Sequence, residues 1–128
     1  MATAIRVGKI SSVDLAAGTA RVSYGDRDNE VTAPMPLLAT EYNMPEIGAM
    51  VVVLHLSAGG GVILGRPWSD KTTPPESGAG LYRKDMGNQP GQAVIRYDGE
   101  MLSISCAGGI TISAGGAVII NGKTIDIG

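Results

Sequence analysis

Hydrophobic and polar positions alternate along most of this chain with a period of two, the period of an extended strand. The pattern is most regular in residues 101–128. There Leu102-Ser103-Ile104-Ser105, Ile110-Thr111-Ile112-Ser113 and Val118-Ile119-Ile120-Asn121 align at a spacing of eight. Gly108-Gly109 and Gly115-Gly116 fall between them, where a strand must bend. The phase then slips, and Ile125 and Ile127 arrive one residue early. A helix is excluded by the apolar spacing and by the density of glycine and β-branched residues. Short strands repeated between glycine corners are the sequence form of a β-solenoid.

Such a solenoid supplies too few inward side chains to close a core by itself. If Leu102, Ile104, Cys106, Ile110, Ile112, Val118, Ile120, Ile125 and Ile127 face a common axis, three copies wound together form a continuous aliphatic column. Only Lys123 and Asp126 carry charge in this stretch, which suits a stiff rod better than a site for a charged ligand. The competing arrangement is an edge hairpin at the end of a β-sandwich.

Upstream, Ile5 to Ile10 and Thr19 to Tyr24 read as a hairpin, turning near Gly18. The charged run from Gly25 to Glu30 reads as a solvated turn; it lacks the alternating oxygen ligands of a calcium loop. Val31 to Leu38 is a third strand that its prolines confine to an edge or cut short. Residues 39–48 are a connector with room for one helical turn. Met50-Val51-Val52-Val53-Leu54-His55-Leu56 is apolar on both faces, which predicts a central, buried strand. Gly59-Gly60-Gly61 is a hairpin tip, and Val62 to Arg66 is the fifth strand. Five short strands with a connector between the third and fourth fit an OB-type barrel. A Pro-, Gly- and Ser-rich linker follows. Then Gln92 to Glu100 reads as a strand, an Asp-Gly turn and a return strand. The expected fold class is therefore all-β. An N-terminal OB-fold barrel (1–68) and a linker (69–91) precede a short intertwined trimeric β-helix (92–128).

Composition narrows the functions available. With 128 residues, 19 Gly, 7 Pro and no Phe, the chain suits one small domain with an appendage and many turns. Ten basic and twelve acidic residues give a net charge of −2, a poor match to nucleic acid. One cysteine excludes an intrachain disulfide and a Cys-based zinc site. The first residues show no signal peptide, and no apolar run reaches membrane-spanning length, so the expected product is soluble and made in the cytoplasm.

No reactive constellation stands out, and the expectation is a protein that is not an enzyme and carries no cofactor or metal. His55, the single histidine, lies in the most apolar strand, with no nucleophile elbow anywhere in the chain. Cys106 reads as a small core hydrophobe on the inward face. Asp98 and Glu100 flank a glycine turn and read as turn residues rather than a catalytic pair. Gly59-Gly60-Gly61 lacks the Lys-Ser/Thr and the helix of a phosphate loop.

Taken in order, several segments resemble the phage baseplate assembly protein V family. They are Ile5-Arg6-Val7-Gly8-Lys9-Ile10-Ser11-Ser12-Val13-Asp14, Gly18-Thr19-Ala20-Arg21-Val22, Pro36-Leu37-Leu38, Tyr42-Asn43-Met44-Pro45-Glu46-Ile47-Gly48 and Gly61-Val62-Ile63-Leu64-Gly65. The linker Asp70-Lys71-Thr72-Thr73-Pro74-Pro75 and the strand Ala93-Val94-Ile95-Arg96-Tyr97-Asp98-Gly99 continue the likeness into the tail. That family forms the central spike of contractile tails, with relatives in tail-like bacteriocins and in the valine-glycine repeat spikes of type VI secretion. The resemblance implies a homotrimer in the baseplate of a virion or tail-like particle, assembled in the bacterial cytoplasm and released with it. Its implied partners are the baseplate hub protein and tail tube, a tip-capping protein, and transiently the target cell envelope. Many members carry a His-x-His metal site at the tip; this chain has Ile125-Asp126-Ile127-Gly128 there, so no metal is carried over. No lysozyme-like insertion is present. The alternative is an OB-fold binding module for nucleic acid or oligosaccharide, which would need aromatic and basic residues on the barrel face.

Overall fold

The computed structural model describes residues 3–25 and 30–128. The turn expected around Asp26, Arg27, Asp28 and Asn29 lies outside them. The described chain is all-β, with two antiparallel sheets and no helix. The first sheet comprises β1 (Ala4–Asp14), β2 (Thr19–Tyr24), β3 (Glu30–Val31), β4 (Met35–Pro36), β5 (Met50–His55) and β6 (Gly61–Gly65). Its order is β3-β2-β1-β5-β6, with β4 also on β2. The second sheet is β7 (Tyr82–Asp85), β8 (Ala93–Tyr97) and β9 (Leu102–Cys106), in chain order.

β1 holds the first sheet together because it serves two partners in succession. Ala4 to Lys9 pair with β5, and Lys9 to Asp14 pair with β2. Between Ile10 and Ser12 the register against β2 shifts, leaving Ser11 as an extra residue. Such a bulge bends its strand and increases local twist, which lets one long strand pass from one side of a core to the other. It also restores the inward phase: Val13 pairs with Ala20 and packs on the core.

The inward positions of the alternating strands make one cluster of Ile10, Ala20, Val22, Tyr24, Met35, Val51, Val53 and Ile63. Gly8 lies where β1 crosses this cluster. A Cβ there would sit 2.5 Å from Val22 Cγ1 and 2.7 Å from Tyr24 Cε1, so only glycine fits. A parallel bridge between Leu37 and Ile63 draws the β4 side of the sheet toward β6.

The third strand expected over Val31 to Leu38 is two short pieces, β3 and β4. Pro34 and Pro36 lack the N–H that a continuous ladder needs. The connector 39–48 contains turns and bends rather than a helical turn. It is tied down by Tyr42 Oη donating to Leu15 O (2.9 Å) and Gly48 N donating to Ile10 O (2.8 Å). β5 is central, between β1 and β6, as its composition predicts. Only its inner face is buried, however; Val52 and Leu54 on the outer face are half-exposed.

In the second sheet, the turn expected at Asp98-Gly99 joins β8 to β9. Asp98 Oδ1 accepts from the N–H groups of Glu100 and Met101, both at 2.9 Å, and Gly99 has φ of +103°. β7 occupies part of the stretch in which no periodicity is legible. Lys84 of β7 forms an ion pair with Glu41 of the connector, which joins the two sheets.

Candidate functional site

Pairing register assigns the faces of the second sheet. Tyr97 is opposite Leu102, Ile95 opposite Ile104, and Ala93 opposite Cys106. Across the other ladder, Tyr82 is opposite Tyr97 and Lys84 opposite Ile95. Directly paired residues share a face. One face therefore carries Tyr82, Lys84, Ala93, Ile95, Tyr97, Leu102, Ile104 and Cys106. The reverse face carries Arg83, Arg96, Ser103, Asp85, Val94 and Ser105.

Near Lys84, which pairs with Glu41, the first of these faces is partly covered, but its β9 side is open. Leu102 is 63% exposed and Ile104 62%, and Cys106 is an exposed free thiol. The strand ladder stops at Cys106, and its last backbone hydrogen bond is Ala107 N to Gln92 O (2.7 Å). Residues 108–128 belong to no strand of the described chain. Within them Ile110, Ile112, Val118, Ile120, Ile125 and Ile127 are all more than half exposed. So the structure brings Leu102, Ile104 and Cys106 together on one face and leaves the other six expected core residues outside any buried cluster. Each such aliphatic side chain would gain roughly 1.5–3 kcal/mol on full burial. A soluble protein rarely leaves a row of this length exposed without a partner surface for it.

Sequence reasoning missed Tyr82, Ile95 and Tyr97 as members of this face. Tyr82-Arg83-Lys84-Asp85 is too polar and too short to announce a strand. Only the register shows that its tyrosine lies beside Tyr97.

The reverse face is polar and already covered. Glu76, from the linker, accepts from Arg83 Nη1 (3.1 Å) and from Arg96 Nε (2.6 Å) and Nη2 (3.2 Å). Arg83 makes a two-pronged bond to Asp85 at 2.8 and 2.9 Å, and Asp85 also accepts from Gly91 N at 2.7 Å. The Arg96 and Arg83 guanidinium groups hold the Glu76 carboxyl below its ordinary range, and Arg83 does the same for Asp85. Asp98 is likewise lowered, first by the backbone N–H groups of Met101 and Glu100. Its turn role accounts for its position without catalysis.

A separate cleft beside the first sheet is lined by Arg6, Tyr24, Glu30, Thr32, Met35 and His55 among others, with a volume of about 470 Å³. Tyr24 Oη and His55 Nε2 are 2.6 Å apart, and the Arg6 guanidinium lies 3.7 Å above the Tyr24 ring. The Thr32 hydroxyl in this cleft accepts from Val22 N and donates to Ala33 O. The histidine is thus built into the edge of the core. Among the described residues no group of three His, Cys, Asp or Glu side chains could hold a metal ion.

A scan against protein-family models returns no match, and no curated protein matches this chain.

Proposed function

We propose that this chain is the central spike of a contractile tail or tail-like injection particle. Its first sheet, an OB-type barrel, docks on a baseplate hub. Its tail winds with those of two further copies into a trimeric β-helix that is driven into the target envelope. The role is mechanical, with sheath contraction supplying the work.

One observation carries this proposal: an alternating apolar row from Leu102 to Ile127 is exposed along its length, and beyond Cys106 it has no ladder partner among the described residues. Parallel copies in register supply both missing elements, apolar neighbours and backbone partners. The strand order adds support. The order β3-β2-β1-β5-β6, with a parallel bridge from Leu37 beside β4 to Ile63 of β6, is compatible with a small, partly open Greek-key barrel. The alternative, a binding module for nucleic acid or oligosaccharide, has no stacking platform on the first sheet: Tyr24 is inside the core, and the exposed Tyr42 and Trp68 lie on the connector and just before the linker.

Light scattering on the purified chain tests assembly. The expected mass is three times that of one chain, and a stable monomer at micromolar concentration would overturn the proposal.

A further inference from the structure

Arg83 and Arg96 are directly opposite each other across the β7-β8 ladder. Like charges at such positions repel. A carboxylate seated between them reverses the sign of the interaction, and the structure places Glu76 there. With the flanking acids the side chains run Asp85, Arg83, Glu76, Arg96, Asp98, an alternating series of three carboxylates and two guanidinium groups. Glu76 belongs to residues 69–80, a segment that does not pair with the sheet as a strand. It follows Pro74 and Pro75, whose fixed φ limits the number of shapes the segment samples when free. Trp68, Pro74, Pro75 and Leu81 border the same hollow as Glu76, Arg83 and Asp85, so the segment lies against the polar face of the sheet.

We propose that Glu76 is an acid-released latch: seated between Arg83 and Arg96, it fastens the 69–80 strap across the polar face of the second sheet. Together with the Lys84–Glu41 pair it fixes the direction in which that sheet leaves the barrel. The contacts that seat Glu76 are made by residues of its own chain, and the latch does not depend on the proposed trimer.

The groups facing Glu76 determine how it responds to acid. From β7 they are Arg83, itself bound to Asp85; from β8 they are Arg96, which also reaches Asp98 at 3.4 Å; from β9 the residue beside Arg96 is the uncharged Ser103. Protonating Glu76 leaves the two guanidinium groups opposed without a counter-charge. Its carboxyl is held below the ordinary glutamate range in the closed form, by Arg96 first and Arg83 second. The closed form therefore binds the proton less tightly than the open one. Closure is favoured at neutral pH and is lost as pH falls through the lowered range.

Trp68, the only tryptophan, borders the strap and reports on it. The experiment follows Trp68 emission against pH and amide hydrogen exchange of residues 69–81 at neutral pH. It uses the full chain, Glu76→Gln, and Glu46→Gln as a control on the connector. Glu76→Gln should raise strap exchange about tenfold or more while β1, β2 and β5 exchange as in the parent. The acid transition of Trp68 should be present in the parent and the control and absent in Glu76→Gln. Strap exchange unchanged by Glu76→Gln, or an acid transition that the variant retains, would overturn the latch. Failure of the spike proposal would show separately, as a monomeric mass with these readouts intact.

Discussion

The first sheet and the tail use the same strand alphabet and reach opposite outcomes. In the first sheet, inward residues of β1, β2, β5 and β6 meet one another within a single chain, and Val22, Val51, Val53 and Ile63 are fully buried. In the tail the alternation is at least as regular, yet Ile112 is 74% exposed and Ile127 93%. Hairpin connections explain the difference. Turns after β1 and β5 lead directly into their partners β2 and β6, and the connector after β4 returns the chain so that β5 pairs with β1, whereas the double glycines of the tail separate segments that find no ladder partner beyond β9 among the described residues. Alternation makes a buried face available; connectivity decides whether the same chain can cover it.

The sharpest way to break this comparison is to charge the tail. Ile112→Asp in a three-fold column places three carboxylates around one axis, with no basic residue between Met101 and Gly122 to pair with them. The expected loss is on the order of 10 kcal/mol per trimer at neutral pH, measured by mass and thermal unfolding. If the variant remains a trimer with parental melting, Ile112 does not face the axis. A core truncation in the barrel should behave differently. Ile63→Ala removes a fully buried side chain and should cost about 3 kcal/mol of barrel stability in denaturant titration, with the mass unchanged.

Acid separates the two sheets more gently. The carboxyls of Glu76, Asp85 and Asp98 are all lowered in the fold, so they stabilise the second sheet above the ordinary carboxylate range and stop doing so as pH falls through their lowered values. The barrel core has no buried charged side chain among the described residues. Amide protection of β8 should therefore fall relative to that of β2 between pH 7 and strong acid; equal losses would show that the ion pairs contribute nothing. The smallest effect belongs to Ser113→Asp, whose side chain would project from the outer face of the wound tail. It should change trimer stability by less than about 1 kcal/mol per chain in the same melting assay. A larger loss there than at Ile112 would assign the inward face to the serines.

Most of the first sheet is legible in the sequence because its strands obey local rules: period two, a glycine tip at Gly59-Gly60-Gly61, and prolines that split β3 from β4. The central place of β5 follows from its double-faced apolarity. What escaped is set by long-range register. The Ser11 bulge has no local signature, nor does the need for glycine at position 8, which comes from Val22 and Tyr24 across the sheet. β7 is hidden for a related reason. Arg83, Lys84 and Asp85 are strand residues stabilised by partners at Glu76, Glu41 and Gly91, and a pairing of charges across ladders leaves no hydrophobic period to read. The apolar row of the tail is visible by inspection, whereas its continuation onto Tyr97 and Tyr82 needed the pairing of β7, β8 and β9.

All six strands of the first sheet lie between Ala4 and Gly65, ahead of the sticky row in chain order. During translation, at about 5–20 residues per second, several seconds separate the emergence of β6 from that of Ile127. A small β domain folds in milliseconds to seconds. The first sheet therefore has time to form before the apolar row leaves the ribosome. Neighbouring ribosomes on one message would then present such rows close together, each behind a first sheet whose own strands are paired and no longer open to mispairing with them.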